Sequence, residues 1–195
     1  SHIAGKDTVA PTGGMALQVL SSMDEPWIDY SFASSRYEKD KGPEDSREFI
    51  SYGISHPDYE FKGYDLDAKR FPTFRYSFKG VTVEDHYRPM NLNGTNAVHR
   101  ILTISDILPA NTYLLAGVRG DFSKLPDGYY KINDLMAIKV EGVVPLIRDS
   151  EALNVKPPLR KTEPKKEKRK ELLVPVKGGQ KIKIIYRWIS ARQLK

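Results

Sequence analysis

The feature that most constrains the fold is a two-residue alternation of large apolar and polar side chains, which recurs in short runs. The clearest run is PTFRYSF, in which Phe74, Tyr76 and Phe78 fall on one face. Gly80 interrupts the run before the alternation resumes in VTV. A period of two is typical of a half-buried strand, and a glycine between two such runs supplies turn geometry. The stretch therefore predicts a β-hairpin whose rings face a core.

Turn signals separate the remaining runs of strand composition, and helical periodicity is scarce. The turns are Asn93-Gly94, Pro126-Asp127-Gly128 and Gly178-Gly179. The runs are AVHRILTI, TYLLAGV, YYKIN, LMAIKV, VVPLIR, ELLVPV and KIKIIYRW. This spacing is typical of antiparallel all-β domains. It predicts a mainly β fold, an antiparallel β-sandwich of about ten short strands, with an irregular N-terminal region and at most one or two short helices.

The length of 195 residues suits a single domain that buries its core without metals or disulfides. We expect an N-terminal arm over residues 1–13, the sandwich over 14–190 and a tail over 191–195. A short helix is predicted at DSREFISYG, beginning at Asp45 or Ser46. In the last run, the alternation predicts core positions for Ile182, Ile184, Tyr186 and Trp188. Cysteine is absent, which excludes disulfides and covalent c-type haem, and no run is long enough to predict a membrane span.

The positive charge is concentrated near the C-terminus. Residues 151–195 hold 14 Lys and Arg against 4 Asp and Glu, so the net charge of +6 leaves residues 1–150 at −4. The stretch VKPPLRKTEPKKEKRKE, residues 155–171, predicts a solvated basic loop inserted between strands. A polyanion site is the alternative reading, whereas nucleic acid is disfavoured because no aromatic residues interleave the charges. The basic binding candidates are Arg160, Lys161, Lys165, Lys166, Lys168, Arg169 and Lys170.

Aromatic residues outside the regular runs are the second set of binding candidates. They are Trp27, Tyr30, Tyr37, Tyr52 and Tyr59. Exposed rings of this kind can stack on sugars or bury against a partner protein. The competing interpretation is that the irregular segment packs these rings against the sheet.

No pattern of catalytic or metal-binding residues is present. The chain has no HExxH, GxSxG or GxxxxGK[ST] motif, so we expect no catalytic residue, metal or cofactor. An alternative is a cofactor-bearing or catalytic sandwich, in which noncovalent haem would use His86 and Met90 or a cation would use His86 with Glu84 and Asp85. Arg75 is expected to be exposed or paired with a cross-strand acid such as Glu84.

Several stretches together resemble a known module. ALQVLSSMDEPW, YEFKGYDLDAKRFPTFRYSFKGVTVED, HRILTI, ELLVPV and IIYRW occur in this order. They look like the β-rich module of large exported PVC-type haem-binding proteins of bacteria, which accompanies a sorbosone-dehydrogenase-like propeller and a c-type cytochrome module. The resemblance implies a periplasmic or secreted location and an accessory role. It also implies partners among other exported domains, including a c-type cytochrome-containing protein, or a polysaccharide.

Overall fold

The computed structural model describes residues 17–30, 58–118, 121–132, 136–155 and 165–189. These residues form thirteen strands and no helix. The strands are β1 (Leu17–Val19), β2 (Ile28–Tyr30), β3 (Tyr59–Leu66), β4 (Pro72–Phe78), β5 (Val81–Leu92), β6 (Thr95–Ile104), β7 (Thr112–Val118), β8 (Phe122–Lys124), β9 (Tyr130–Ile132), β10 (Met136–Glu141), β11 (Leu146–Val155), β12 (Lys165–Pro175) and β13 (Lys181–Trp188).

The strands form two sheets of unequal width, arranged as a β-sandwich. The smaller sheet has the order β1-β7-β12-β11-β2, and the larger has the order β3-β4-β5-β6-β13-β10-β9-β8. Within these sheets the pairings are antiparallel except that of β11 with β2. The predicted mainly β antiparallel sandwich is confirmed, with more strands than expected.

The main core lies where the inner faces of the two sheets meet. The large sheet contributes Leu102, Ile182 and Ile184, and the small sheet contributes Leu114 and Leu172, all with no measurable exposure. Burying one such aliphatic side chain stabilises the fold by about 1.5–3 kcal/mol. Apolar and polar side chains alternate along β6, β7 and β13 because each sheet turns one apolar face toward the other sheet.

The predicted hairpin around Gly80 is confirmed. Tyr76 and Phe78 are 2% and 1% exposed and belong to the main core. Lys79 and Gly80 both have positive φ, 49° and 81°, the geometry of a two-residue type I′ turn. Glycine carries no steric penalty in this region. The sequence pattern thus specified both the inward face and the connection between β4 and β5.

Two predictions for the C-terminal half need correction, and three others fall on residues that the structure does not describe. The prediction of a basic loop is wrong from residue 165 onward, because residues 165–175 form β12. This strand pairs with β11, from Lys165 opposite Asn154 to Leu173 opposite Leu146. Trp188 does not anchor the core, since it lies at the end of β13 and is 48% exposed. The predicted helix near Ser46, the N-terminal arm and the C-terminal tail lie outside the described residues.

Candidate functional site

A strip of exposed apolar side chains lies along β3, the edge strand of the larger sheet. Phe61, Tyr64 and Leu66 are 56%, 57% and 47% exposed, and we call them the β3 strip. Across the pairing with β4, Phe61 lies opposite Tyr76 and Tyr64 opposite Phe74. Because directly opposed residues share a face of a sheet, the strip points to the same side as the core.

The strip is exposed because the two sheets differ in width. Eight strands face five, and at about 4.8 Å per strand the larger sheet is about 14 Å wider. A bulge between Phe61 and Gly63, with φ of 107° at Gly63, keeps Tyr64 and Leu66 on the same face as Phe61. The margin of the larger sheet therefore presents an apolar surface that the core does not use.

The charged residues of β3 project to the opposite face. Glu60 and Lys62 lie on that side of the strand and pair at 2.5 Å, while Asp65 pairs with Arg75 at 2.6 Å. Arg75 was expected to be exposed or paired with a cross-strand acid such as Glu84; it lies directly opposite Glu84, and the cross-strand acid that it pairs with is Asp65 on the other neighbouring strand. The β3 strip is therefore apolar, with no charged side chain of β3 on its face.

An aromatic ladder connects the strip to the interior. The ring centroids of Tyr64 and Phe74 are 6.0 Å apart, and those of Phe74 and Tyr87 are also 6.0 Å apart in an edge-to-face arrangement. The guanidinium of Arg100 lies over the Tyr87 ring at 5.4 Å. Such contacts stabilise each ring pair by about 0.5–1.5 kcal/mol beyond burial. The ladder fixes the exposed Tyr64 ring on an ordered base.

The ladder ends at a buried ion pair. Arg100 donates from Nε to Oδ1 of Asp85 at 2.9 Å and from Nη2 to Oδ2 at 2.6 Å. The Tyr87 hydroxyl donates to Asp85 at 3.1 Å. Arg100 Nη1 donates to the Tyr186 hydroxyl at 3.4 Å, and that hydroxyl donates to the Ala116 carbonyl of the smaller sheet at 3.4 Å. The polar cluster thus bridges the two sheets at the inner boundary of the exposed margin.

Burial raises the pKa of three tyrosines near this pair, Tyr59, Tyr76 and Tyr87. Desolvation, with a smaller contribution from the Asp85 carboxylate, raises the pKa of Tyr59 to about 12. Desolvation is also the main cause of the raised pKa of Tyr76 and of Tyr87. The Tyr76 hydroxyl oxygen is buried without a hydrogen-bond partner in the described part of the chain. These phenols stay neutral at physiological pH; they act as packing groups, and the Tyr87 hydroxyl also donates a hydrogen bond to Asp85.

Only part of the predicted aromatic set falls in the described structure. The prediction of an exposed Trp27 is wrong: the ring is 1% exposed and packs with Leu20, Ala152 and Leu173 on the outer face of the smaller sheet. Tyr59 is partly buried, its ring 5.0 Å from that of Tyr76. The side chain of Tyr30, and both Tyr37 and Tyr52, lie outside the described residues.

The basic candidates divide between the two faces of β12. One face of β12 carries three lysines that are paired directly with residues of β11: Lys166 with Leu153, Lys168 with Glu151 and Lys170 with Asp149. Lys166 pairs with Glu151 at 3.6 Å and Lys170 with Asp121 at 3.9 Å. Lys165 is exposed where β12 begins, and Arg160 and Lys161 lie outside the described residues. The lysines of β12 are thus interleaved with acids across the hairpin.

Arg169 is not a surface residue, and its prediction as part of a solvated loop is wrong. Its side chain is 3% exposed, its Nε donates to Glu171 at 2.8 Å, and its guanidinium pairs with Asp29 of β2. Arg148 of β11 also pairs with Glu171 at 2.8 Å, and its Nη1 donates to the Met23 and Glu25 carbonyls at 2.8 Å each. This cluster fastens residues 23–29 to the smaller sheet.

An open cleft of about 670 Å³ lies beside the β11–β12 hairpin. Its lining carries both signs of charge, and comprises Asp24, Pro26, Asp149, Ser150, Glu151, Leu153, Lys166, Lys168 and Arg169. Three carboxylates stand among the three cations, which weakens its attraction for a polyanion. The cleft is therefore a weaker binding candidate than the β3 strip.

His86 and Met90 are not arranged as one ligand pair. They share a face of β5 but lie four residues, or about 13 Å, apart. His86 Nδ1 lies 2.5 Å from the Thr73 hydroxyl, and Met90 packs with Ala97 and Ile185 on the outer face of the larger sheet. Across the described ranges no group of three or more metal-ligating side chains converges. The described part of the chain contains no helix that is long and apolar enough to cross a membrane.

No protein-family model, curated protein or solved structure matches this chain. The expected relation to the PVC-type exported proteins therefore remains a prediction from the sequence pattern.

Proposed function

We propose that this chain is a non-catalytic accessory module of an exported bacterial redox or polysaccharide-processing system, and that it docks to another protein domain through the β3 strip. The observation that carries the proposal is the half-exposed state of Phe61, Tyr64 and Leu66 on the core-facing side of an edge strand. Aromatic and aliphatic anchors of this kind dominate binding energy when a partner covers them.

The chemistry of the strip favours a protein partner over a carbohydrate. Sugar recognition needs polar groups beside the stacking ring to bind the hydroxyls. On the face of Tyr64, the neighbours across and along the sheet are Phe74, Phe61 and Leu66. The charged side chains of β3 face the other way, and the Asp85–Arg100 pair is buried. An apolar surface of another domain is the better match.

The proposal is tested with a strip variant in which Phe61, Tyr64 and Leu66 are each replaced by Ser. The matched control carries Ile107→Ser with Val144→Ser, which removes exposed apolar area elsewhere. Proteins from the exported fraction of the natural source are captured on the immobilised chain, then purified and titrated against each variant by calorimetry. The expected result is a purified partner that binds the parent chain with a negative heat-capacity change, is weakened at least about tenfold by the strip variant, and is unaffected by the control.

Two outcomes would overturn the proposal. One is a partner that binds the parent chain and the strip variant equally well. The other is binding of soluble oligosaccharides that is lost in the strip variant, which would assign the strip to carbohydrate instead. Thermal unfolding of each variant verifies that the fold is retained, as expected for side chains that are already about half exposed.

A further inference from the structure

One end of the sandwich gathers three connections. Strands β6 and β10 both pair antiparallel to β13, so they run in the same direction and end where β13 begins. The loops 105–111 and 142–145 leave from this end, and the turn 176–180 enters it. The Ile104 amide donates to the Gln180 carbonyl at 3.0 Å, which joins the end of β6 to the turn. We call this the lysine end, after Lys177, Lys181 and Lys183.

Each of the two loops packs one apolar side chain against the main core and exposes the adjacent one. In loop 105–111, Leu108 is 6% exposed in the main core whereas Ile107 is 82% exposed. In loop 142–145, Val143 packs against the same core whereas Val144 is 79% exposed. The buried neighbours anchor the loops, so the outward positions of Ile107 and Val144 are set by the fold.

Three exposed lysines lie in or next to these connections. Lys177 in the turn and Lys181 and Lys183 at the start of β13 are all exposed. The acids in the same connections are Asp106, whose Oδ1 accepts a hydrogen bond from the Ile107 amide at 2.7 Å, and Glu141 at the end of β10. Three lysines thus stand against two acids in these connections, with Glu141 directly opposite Lys183, and Glu84 of β5 lies opposite Thr103, the partner of Lys181.

We infer that the lysine end binds the surface of a bilayer that contains anionic lipid, with Ile107 and Val144 entering the interfacial region and the lysines contacting the headgroups. Apolar side chains that enter the headgroup boundary, together with cations at the surface, are the combination that holds peripheral proteins on anionic membranes. A protein interface needs a continuous apolar patch, whereas here single aliphatic tips on separate loops are flanked by lysines. The inference is independent of the β3 strip.

The test is cosedimentation of the whole chain with vesicles of phosphatidylcholine alone or mixed with phosphatidylglycerol. The parent chain is expected to bind the mixed vesicles, and more weakly at high salt. Ile107→Asp with Val144→Asp should lower the partition coefficient at least about tenfold. Neutralising Lys177, Lys181 and Lys183 with Gln should lower it about fivefold for each lysine at low salt. The matched control, Phe61→Asp with Leu66→Asp, should bind like the parent.

A second readout reports insertion directly. Compared with the parent chain, Ile107→Trp should add emission that shifts to shorter wavelength with mixed vesicles, while the emission added by Phe61→Trp should not shift. The inference is overturned if the folded parent chain does not sediment with mixed vesicles. It is also overturned if the loop and lysine variants sediment as the parent does, or if the control variant loses binding as strongly as the loop variant. Thermal unfolding of each variant tests whether a loss of vesicle binding is caused by a loss of the fold.

Discussion

Arg100 and Asp85 form a two-pronged ion pair on neighbouring strands of the larger sheet, with Nη2 to Oδ2 at 2.6 Å and side chains 7% and 1% exposed. They are not directly opposed, since Asp85 faces Leu102 and Arg100 faces Tyr87. The pair therefore reaches diagonally across the register, and the Tyr87 hydroxyl completes the coordination of the carboxylate. A buried pair is tolerated only when its charges are compensated in this way.

Removing one partner of this pair should be far more destabilising than replacing both. Asp85→Ala leaves the Arg100 charge buried and unpaired, so the free energy of unfolding should fall by about 3–5 kcal/mol. The double variant Asp85→Leu with Arg100→Met removes both charges. Its free energy of unfolding should fall by much less than the sum of the decreases in the single variants. Urea unfolding measures each value. Single losses that simply add in the double variant would contradict the coupling.

Stability should fall at alkaline pH because the core tyrosines resist ionisation. The pKa of Tyr59 is about 12 in the folded chain, against an ordinary value of 10.0. A raised folded pKa means that the stabilisation is complete below pH 10 and is lost as pH rises from about 10 through about 12. Tyr76 and Tyr87 act in the same direction.

Tyr59→Phe should make that alkaline fall shallower, since one late-ionising phenol is removed. The measurement is urea unfolding at several pH values, together with phenolate absorbance to follow ionisation of the folded chain. The parent should show a group of tyrosines that ionises only on unfolding or above pH 11, roughly one unit beyond a free phenol. A stability curve of the variant that superimposes on the parent curve over this range would remove Tyr59 from the effect.

Arg148 should hold residues 23–28 on the smaller sheet. Arg148→Met leaves Glu171 with one cation instead of two and removes the bonds to the Met23 and Glu25 carbonyls, so about 1.5–3 kcal/mol should be lost. Amide exchange of Ile28 should rise before that of the main core. Lys166→Met is the control, since its ion pair with Glu151 is exposed and should contribute less than about 1 kcal/mol. Equal effects of the two substitutions would contradict this role of Arg148.

The regular strands were predictable because local alternation and tertiary burial agree there. In β4, Tyr76 and Phe78 alternate with Arg75 and Ser77, and the buried face follows directly. The β3 strip was not recognised because the bulge at Lys62 interrupts the alternation, so Phe61 and Tyr64, three residues apart, share a face. A two-residue period cannot reveal such a pair.

The basic segment was misjudged because its neutralising partners are distant in sequence. Arg169 is buried only because Asp29, 140 residues away, and Glu171 receive its hydrogen bonds. The acids opposite the lysines of β12 come from β11, and composition alone does not show that register. Trp27 is buried for a similar reason, since Leu173 and Ala152 that cover it belong to those same strands.

Gly178 should be required by the close approach of the β12–β13 turn to loop 105–111. A Cβ at this position would lie 2.1 Å from the Asp106 carbonyl oxygen and 2.1 Å from the Ile107 Cα. Both contacts are with backbone, which cannot rotate away as a side chain can. Gly178→Ala should therefore displace the loop and lower the free energy of unfolding by about 3 kcal/mol.

Gly179→Ala is the matched control for this substitution. Its φ is +68° and a Cβ would meet nothing within 4 Å, so the cost is backbone strain alone, about 1 kcal/mol. Urea unfolding compares the two variants, and amide exchange of Leu108 reports displacement of the loop. Gly178→Ala should raise that exchange whereas Gly179→Ala should not. Equal losses of stability in the two variants would mean that the turn and the loop do not pack together this closely in solution.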